Sequence, residues 1–488
     1  MAKADPLFSA AVQAHQAGRF GEAEQMYLRV LRQTPRHADA LHLLGVVAAQ
    51  TGRPKEAIAS IKRAIAIAPK AGVYHANLGN AYQDCDQTRD ALAAYQKAAA
   101  LDPRDVGAMN GLGTALRKLD ELQAAENAFR RAVELAPATA AFHANLGNVL
   151  ESRGQYQAAR EAYDKAVRLS PNSAEHQWGL ALQELRLGDY ANGWNRYEWR
   201  WQMASYKVPR WNRPEPLWDG SDLAGRTILL HMEQGYGDNV QLIRYVPLVK
   251  ARGGGIMMTT LDPLLRLFRT IPEADAVYRE TEPVPPFEVH APLMSLPRIF
   301  KTTVETIPAT VPYLHLAPAD VAAWAERISA MGPGLKVGLC WAGKPSHGND
   351  RNRSMSLATL NPLATVGGVH FLRLHKGPSP QSRECDLKPL DCTADLADFA
   401  DTASLVMNLD LVITVDTSIA HLAGALGKPT WLLLPFVADW RWLLDRTDSP
   451  WYPTIRLYRQ STPGDWKSVV ERVGNDLKAK MIGAPFNS

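Results

Sequence analysis

The chain has few cysteines, and they follow no pattern that indicates a metal or disulfide site. Only four occur in 488 residues, and no two are spaced as C-x-x-C, so neither a zinc site nor a disulfide framework is predicted. No H-E-x-x-H motif occurs among the 13 histidines. The one D-x-D, at Asp84 and Asp86, lies in a turn between predicted helices. We therefore predict no metal site.

Long apolar runs and a strong charge bias are also missing. No stretch approaches the roughly 18 apolar residues that span a bilayer, and the N-terminus has no signal-peptide core. The net charge of +4 does not support bulk binding of nucleic acid. With 46% hydrophobic and 21% charged residues, we expect a cytoplasmic protein of two or three domains, without a transmembrane segment or a nucleic-acid partner.

What the sequence does contain, in its first half, is a repeat of 34 residues. Small and large apolar residues recur at fixed offsets from the repeated prolines, which predicts paired helices that approach closely at the small residues. The repeated positions are Pro35, Pro69, Pro103, Pro137 and Pro171; Gly45, Gly79, Gly113 and Gly147; Ala23, Ala57, Ala91, Ala125 and Ala159; and Tyr27, Ile61, Tyr95, Phe129 and Tyr163. This pattern resembles a tetratricopeptide array over residues 4–171. Such arrays bind extended polypeptide on a concave face.

An altered, aromatic-rich sixth unit follows at residues 174–201 and ends the predicted solenoid, residues 4–201. Its aromatic side chains either stack bases or bind a partner, or they cap the last repeat and pack it on the next domain, which we favour. Residues 202–218 are rich in proline and tryptophan and predict a linker. The recurring Asn77, Asn110 and Asn145 either bind the backbone of a partner or are solvated helix positions; both interpretations stay open.

The second half is organised around D-L-V-I-T-V-D-T-S-I-A-H-L-A-G-A-L-G-K-P, residues 410–429. A short β-branched run, then Asp416, Thr417 and Ser418, then small residues predict a buried strand, a polar turn and a helix. The start of a helix suits a phosphate, so we predict a phosphate-bearing ligand here. The alternative is an ordinary capped unit in which Asp416 only caps and His421 only packs.

A second polar turn comes earlier, after a predicted strand at 227–232. Gly235 and Gly237 allow a tight turn and close approach to a ligand, whereas Val240 occupies the third glycine position of a dinucleotide fingerprint and disfavours that site. Asp238 acts there either as a helix cap or as a general base. Residues 290–297, H-A-P-L-M-S-L-P, predict a loop of this lobe.

Two further loops follow strands in the last part of the chain. After the strand at 336–341 comes a loop with Lys344, His347, Arg351 and Arg353. These residues concentrate positive charge that can offset a diphosphate, unless the loop is only solvated. After the strand at 371–374 comes H-K-G-P. We predict two α/β lobes, 219–308 and 318–488, whose strand ends face one cleft.

The stretch at 410–429, together with G-Y-G-D, resembles the heptosyltransferase-like glycosyltransferases of GT-B fold. The resemblance covers residues 219–475. The fusion to repeats is similar to bacterial proteins proposed to glycosylate other proteins, flagellin among them, and in architecture to O-linked N-acetylglucosamine transferases. The resemblance implies an all-α tetratricopeptide solenoid followed by a GT-B pair of Rossmann-like α/β domains.

The same resemblance implies roles for particular residues. Asp238 matches the catalytic base, and Arg353 is favoured over Lys344 and Arg351 as the basic group. The remaining donor-binding positions are Gly235, Gly237, His375, Lys376, Gly377, Asp416, Thr417, Ser418 and His421. The loop lacks a clear family lysine, so a heptose donor is not implied. Replacing Asp238 by Asn is expected to lower turnover and to leave nucleotide affinity almost unchanged.

Three functions are therefore weighed. The first is a metal-independent, inverting glycosyltransferase that needs no cofactor, uses a nucleotide-sugar as substrate and modifies a polypeptide recruited by the repeats. The second is a non-catalytic interaction scaffold with a degenerate transferase body. The third is a transferase that acts on glycan or lipopolysaccharide.

Overall fold

The computed structural model describes residues 5–206, 214–233, 235–377 and 385–481. The chain divides into two compact units, Met1–Leu180 and Ala181–Ser488. Of the predicted linker, the segment 207–213 with Pro209 and Trp211 lies outside the described residues, as do Gln234 and Pro378.

The first unit is built from helices in consecutive pairs. The helices are α1 (Pro6–Gln16), α2 (Phe20–Gln33), α3 (Ala38–Gln50), α4 (Pro54–Ile67), α5 (Gly72–Gln83), α6 (Thr88–Leu101), α7 (Val106–Lys118), α8 (Leu122–Leu135), α9 (Ala140–Ser152) and α10 (Tyr156–Leu169). The predicted small-to-large packing is confirmed. A Cβ placed on Gly79 would lie 2.6 Å from Cε1 of Tyr95, and one on Gly113 would lie 2.7 Å from Cε1 of Phe129. Only glycine lets these helices approach so closely.

The altered sixth unit consists of α11 (Ala174–Arg186), α12 (Tyr190–Tyr197) and a 3₁₀ turn, Glu198–Gln202. From Ala181 onward it belongs to the second compact unit. Trp194 packs edge-on against Trp440 with ring centroids 5.1 Å apart. The indole of Trp451 donates a hydrogen bond of 3.1 Å to the Tyr190 hydroxyl. These contacts agree with the packing interpretation of the aromatic segment.

The first α/β lobe contains a four-stranded parallel sheet among its described residues. Its strands are β1 (Thr227–His231), β2 (Gly255–Thr260), β3 (Ala276–Arg279) and β4 (Val289–Pro292), in the order β3-β2-β1-β4. Its helices are α13 (Tyr236–Leu242), α14 (Val246–Lys250), α15 (Asp262–Phe268) and α16 (Leu296–Ile299). The predicted loop at 290–297 is wrong in part, because residues up to Pro292 form β4, which pairs with β1 through Ile228 and Val289.

The second lobe contains a six-stranded parallel sheet, again counting described residues only. Its strands are β5 (Leu335–Cys340), β6 (Val369–Arg373), β7 (Leu390–Asp391), β8 (Leu411–Val415), β9 (Thr430–Leu434) and β10 (Ile455–Arg459), in the order β10-β9-β8-β5-β6-β7. Its helices are α17 (Pro318–Ser329), α18 (Asp350–Arg353), α19 (Phe399–Met407), α20 (Ser418–Ala425) and α21 (Trp466–Met481). β8 and β9 are buried on both faces, as central parallel strands are.

Parallel strands place all their carboxyl ends on one edge of a sheet, where ligands of open α/β folds bind. The polar turns singled out in the sequence follow β1, β5, β6 and β8, so they lie at these two edges. Within the described ranges, no helix is both long and apolar enough to cross a bilayer.

Candidate functional site

The turn between β8 and α20 forms one wall of the site. Thr417 is the N-cap of α20, and its hydroxyl oxygen accepts a hydrogen bond of 3.3 Å from the Ile419 amide. Its hydroxyl also lies 3.3 Å from that of Thr414, which fixes the turn to the end of the strand. The backbone N–H groups of this first turn, with the positive end of the helix dipole, favour an anion.

The turn after β1 forms the opposite wall, and Gly237 brings it against α20. A Cβ on Gly237 would lie 2.8 Å from Cδ2 of His421 and 3.4 Å from Cα of Ser418. Nearby, the rings of Tyr236 and Phe399 stand 5.1 Å apart. The predicted juxtaposition of the two polar turns is therefore present in the structure.

Asp238 lies in the first turn of α13, and its position is compatible with both predicted roles, helix cap and general base. Its carboxylate accepts a 2.9 Å hydrogen bond from the amide of Gly235, which is a capping contact. Its side chain is still 21% exposed. Burial raises the pKa of Asp238, while the positive charge of Arg441 opposes that rise. A carboxylate with a raised pKa is a better proton acceptor near neutral pH.

Sequence reasoning assigned no role to Arg441. It lies in the 3₁₀ turn Trp440–Trp442 after β9 and forms an ion pair with Asp238. The same guanidinium donates hydrogen bonds of 2.9 Å to Asp439 and 2.6 Å to the side chain of Gln241. These contacts come from both lobes, so Arg441 links the two walls of the site.

Asp416 lies near another carboxylate, that of Asp439, and near two guanidiniums. Burial, and then the neighbouring Asp439, raise its pKa to about 6, whereas Arg441 and Arg353 oppose the rise. The pKa of Asp439 is lowered instead. Burial alone would raise it, but the positive charge of Arg441 and the hydrogen bonds with that residue outweigh burial. The pair therefore holds one carboxylate that is ionised at neutral pH and one that titrates close to it.

Arg353, one of the three predicted cations, reaches the β8–α20 turn. It donates a 2.9 Å hydrogen bond to the backbone carbonyl of Asp416 and lies 3.4 Å from Asp350. The other two, Lys344 and Arg351, have exposed side chains.

His421 faces the interior of the site wall. It is 5% exposed, its Nδ1 lies 2.9 Å from the Tyr452 hydroxyl, and its ring stacks on Trp442. Burial, followed by Arg441, lowers its pKa to about 3, so the imidazole is neutral. In this position it packs the two walls together, as the alternative interpretation of the sequence expects.

The H-K-G segment lies at the end of β6. His375 is buried against Trp341, with ring centroids 5.6 Å apart. The ammonium of Lys376 donates to the carbonyl of Leu396, and Gly377 accepts a 2.5 Å bond from Arg373. Their role beside a base or ribose stays a prediction.

Within the described ranges, no group of three or more His, Cys, Asp or Glu side chains is arranged to hold a metal ion.

Comparison with known proteins decides the nature of the first unit. A family model described as tetratricopeptide repeat matches residues 10–72, 77–140, 112–174 and 144–193. The N-terminal region carries tetratricopeptide repeats. Repeats of this kind stack side by side and build extended concave surfaces.

One curated relative extends beyond the tetratricopeptide repeats. Protein FlbA of Caulobacter vibrioides is 29% identical over 327 residues, which is 62% of this chain and 54% of FlbA. The match therefore spans about half the length of that protein.

Solved structures resemble this chain over about a third of its length. The crystal structure of MamA is 24% identical, with 34% of this chain and 96% of MamA covered and a TM-score of 0.31. YrrB, a TPR protein with an unusual peptide-binding site, is 24% identical, with 36% and 90% covered and a TM-score of 0.32. Pseudomonas aeruginosa pilF is 19% identical, with 40% and 88% covered and a TM-score of 0.36.

Proposed function

We propose that the α/β unit is an inverting, metal-independent glycosyltransferase that uses a nucleotide-sugar donor, and that the tetratricopeptide repeats recruit a polypeptide acceptor. The observation that carries this proposal is the approach of Gly237 to Ser418 and His421, which brings the turn that holds Asp238 against the first turn of α20. In this proposal Asp238 is the general base, the start of α20 binds the anion, and both face one crevice between the two parallel sheets.

In the proposed reaction the acceptor hydroxyl gives its proton to Asp238 as its oxygen bonds to the anomeric carbon. The bond from that carbon to the phosphate oxygen breaks, and the nucleoside diphosphate leaves with the electron pair. Arg353 and the N–H groups at the start of α20 stabilise the negative charge on the leaving phosphate. The raised pKa of Asp238 supports its role as base.

A panel of UDP-, GDP- and ADP-sugars tests the proposal by release of nucleoside diphosphate. We expect release with at least one donor and a loss of at least about 100-fold in kcat for Asp238→Asn, the size expected for a general base. Asp222→Asn is the matched control, since Asp222 lies in the same lobe with an 83% exposed side chain. Full activity of Asp238→Asn removes the base assignment.

A non-catalytic scaffold is the second candidate, and one observation favours it: Asp238 is already ion-paired with Arg441. It predicts protein binding through the tetratricopeptide repeats without nucleotide release from any donor. Mass spectrometry of proteins and lipopolysaccharide from cells with and without this gene separates a polypeptide acceptor, flagellin-like or other, from a glycan acceptor.

A further inference from the structure

Arg441 joins groups of opposite lobes in a nearly closed environment. Only 7% of the residue is exposed. It is ion-paired with Asp238 and hydrogen-bonded to Gln241 on the first lobe, and it also donates a 2.9 Å hydrogen bond to Asp439 on its own lobe. A guanidinium makes strong, charge-assisted hydrogen bonds with carboxylates, and its several N–H groups can serve more than one acceptor.

The site around it carries charges of both signs. Three carboxylates, Asp238, Asp416 and Asp439, lie among guanidiniums that include Arg353, Arg441 and Arg186. Arg441 is close enough to the start of α20 to lower the pKa values of Asp416 and His421. It therefore lies within electrostatic range of any anion bound at that turn.

An arginine bound to a general base makes that base weaker, because the ion pair stabilises the ionised carboxylate. A diphosphate carries more negative charge than a carboxylate and offers more acceptor oxygens, so it competes for the same guanidinium.

We propose that Arg441 changes partner during the reaction cycle: it pairs with Asp238 in the empty site and with the diphosphate of the bound donor. This inference rests on the proposed function. Donor binding then releases the carboxylate of Asp238 to accept the acceptor's proton, while the 2.9 Å contact with Asp439 retains the guanidinium near the site. Arg441 thereby imposes an order in which the donor binds before the base is active.

Titration calorimetry of the full chain with inorganic pyrophosphate tests the exchange without requiring turnover. In the wild type, pyrophosphate must displace Asp238 from Arg441. Asp238→Asn abolishes that competition, so we expect affinity to rise by about fivefold, the size of a partly exposed ion pair. From the sequence alone, Asp238→Asn is expected to leave nucleotide affinity almost unchanged, since the sequence does not reveal the ion pair between Asp238 and Arg441.

Asp448→Asn is the matched control, because it deletes one carboxylate from an Arg446 ion pair whose Asp448 side chain is 71% exposed. Its affinity for pyrophosphate should equal that of the wild type. Arg441→Gln should weaken binding and abolish the gain seen with Asp238→Asn. If Arg441→Gln fails to fold, Asp238→Asn and Asp448→Asn still test the exchange: tighter pyrophosphate binding in Asp238→Asn alone supports it, and equal affinity of the two variants overturns it.

Arg353→Ala distinguishes failure of the partner exchange at Arg441 from failure of the proposed anion site. Pyrophosphate binding that depends on Arg353 but does not tighten in Asp238→Asn overturns the exchange and leaves the proposed donor site intact. Absence of any Arg353-dependent binding overturns the anion site itself, and the exchange with it.

Discussion

Gly237→Ala tests how closely the two walls of the site approach. The new Cβ would lie 2.8 Å from Cδ2 of His421, where an ordinary carbon contact is about 3.5–4 Å. Since His421 is held by Tyr452 and Trp442, the strain is relieved by moving α13 away from α20 by about 1 Å. Such overpacking costs about 1–3 kcal/mol of unfolding free energy.

Tryptophan fluorescence during urea unfolding measures this cost selectively. The chain has 13 tryptophans, and all except Trp178 lie within Ala181–Ser488, so the signal reports the α/β unit. Gly367→Ala is the matched control, because a Cβ there meets no atom within 4 Å. We expect its stability to be unchanged or slightly raised. If Gly237→Ala behaves like Gly367→Ala, the close approach of the walls is refuted.

Three further predictions concern charged groups of the same unit. Arg353→Ala should weaken nucleoside diphosphate binding by about tenfold in calorimetry, since a charge-assisted hydrogen bond is lost; unchanged affinity contradicts the role of Arg353. The pKa of Asp416, raised from 3.8 to about 6, means that the folded unit loses stability as pH rises from about 4 to 6. Asp416→Asn should therefore be more stable than the wild type by about 3 kcal/mol at pH 7.5 and equal to it at pH 4 by urea unfolding; a difference independent of pH contradicts the shift. Arg244→Ala should destabilise the unit by about 3 kcal/mol in the same assay, because it leaves a cavity and orphans the Trp451 carbonyl, which accepts a 2.5 Å bond; a loss below about 0.5 kcal/mol would show that this buried contact contributes little.

Local patterns predicted much of the fold. The 34-residue repeat could be identified because each unit carries the same small and large residues, and β8 was predicted at Leu411–Val415 because a central parallel strand is a short β-branched run. β4 was missed because Val289–Pro292 gains its strand conformation from β1, about 60 residues earlier in the chain. Pro292 is compatible with a strand because β4 lies at the edge of its sheet.

Site residues could be predicted from the sequence only where a single continuous segment forms a recognisable motif. The turns with Asp238 and Asp416 are such segments, and the structure brings them together. No role was predicted for Arg441 because its partner Asp238 is 203 residues away in the chain, and no local pattern records that contact. The available signal was a charged pair, Asp439 and Arg441, beside tryptophans after a strand.

Hydrogen–deuterium exchange with the nucleoside diphosphate that most raises the melting temperature of the chain tests the shared crevice most directly. A common site for donor and base predicts simultaneous protection of 235–242 and 416–425, with smaller protection in Arg353→Ala. Protection confined to the tetratricopeptide repeats, protection of only one lobe, or no stabilising nucleotide in the panel would contradict it.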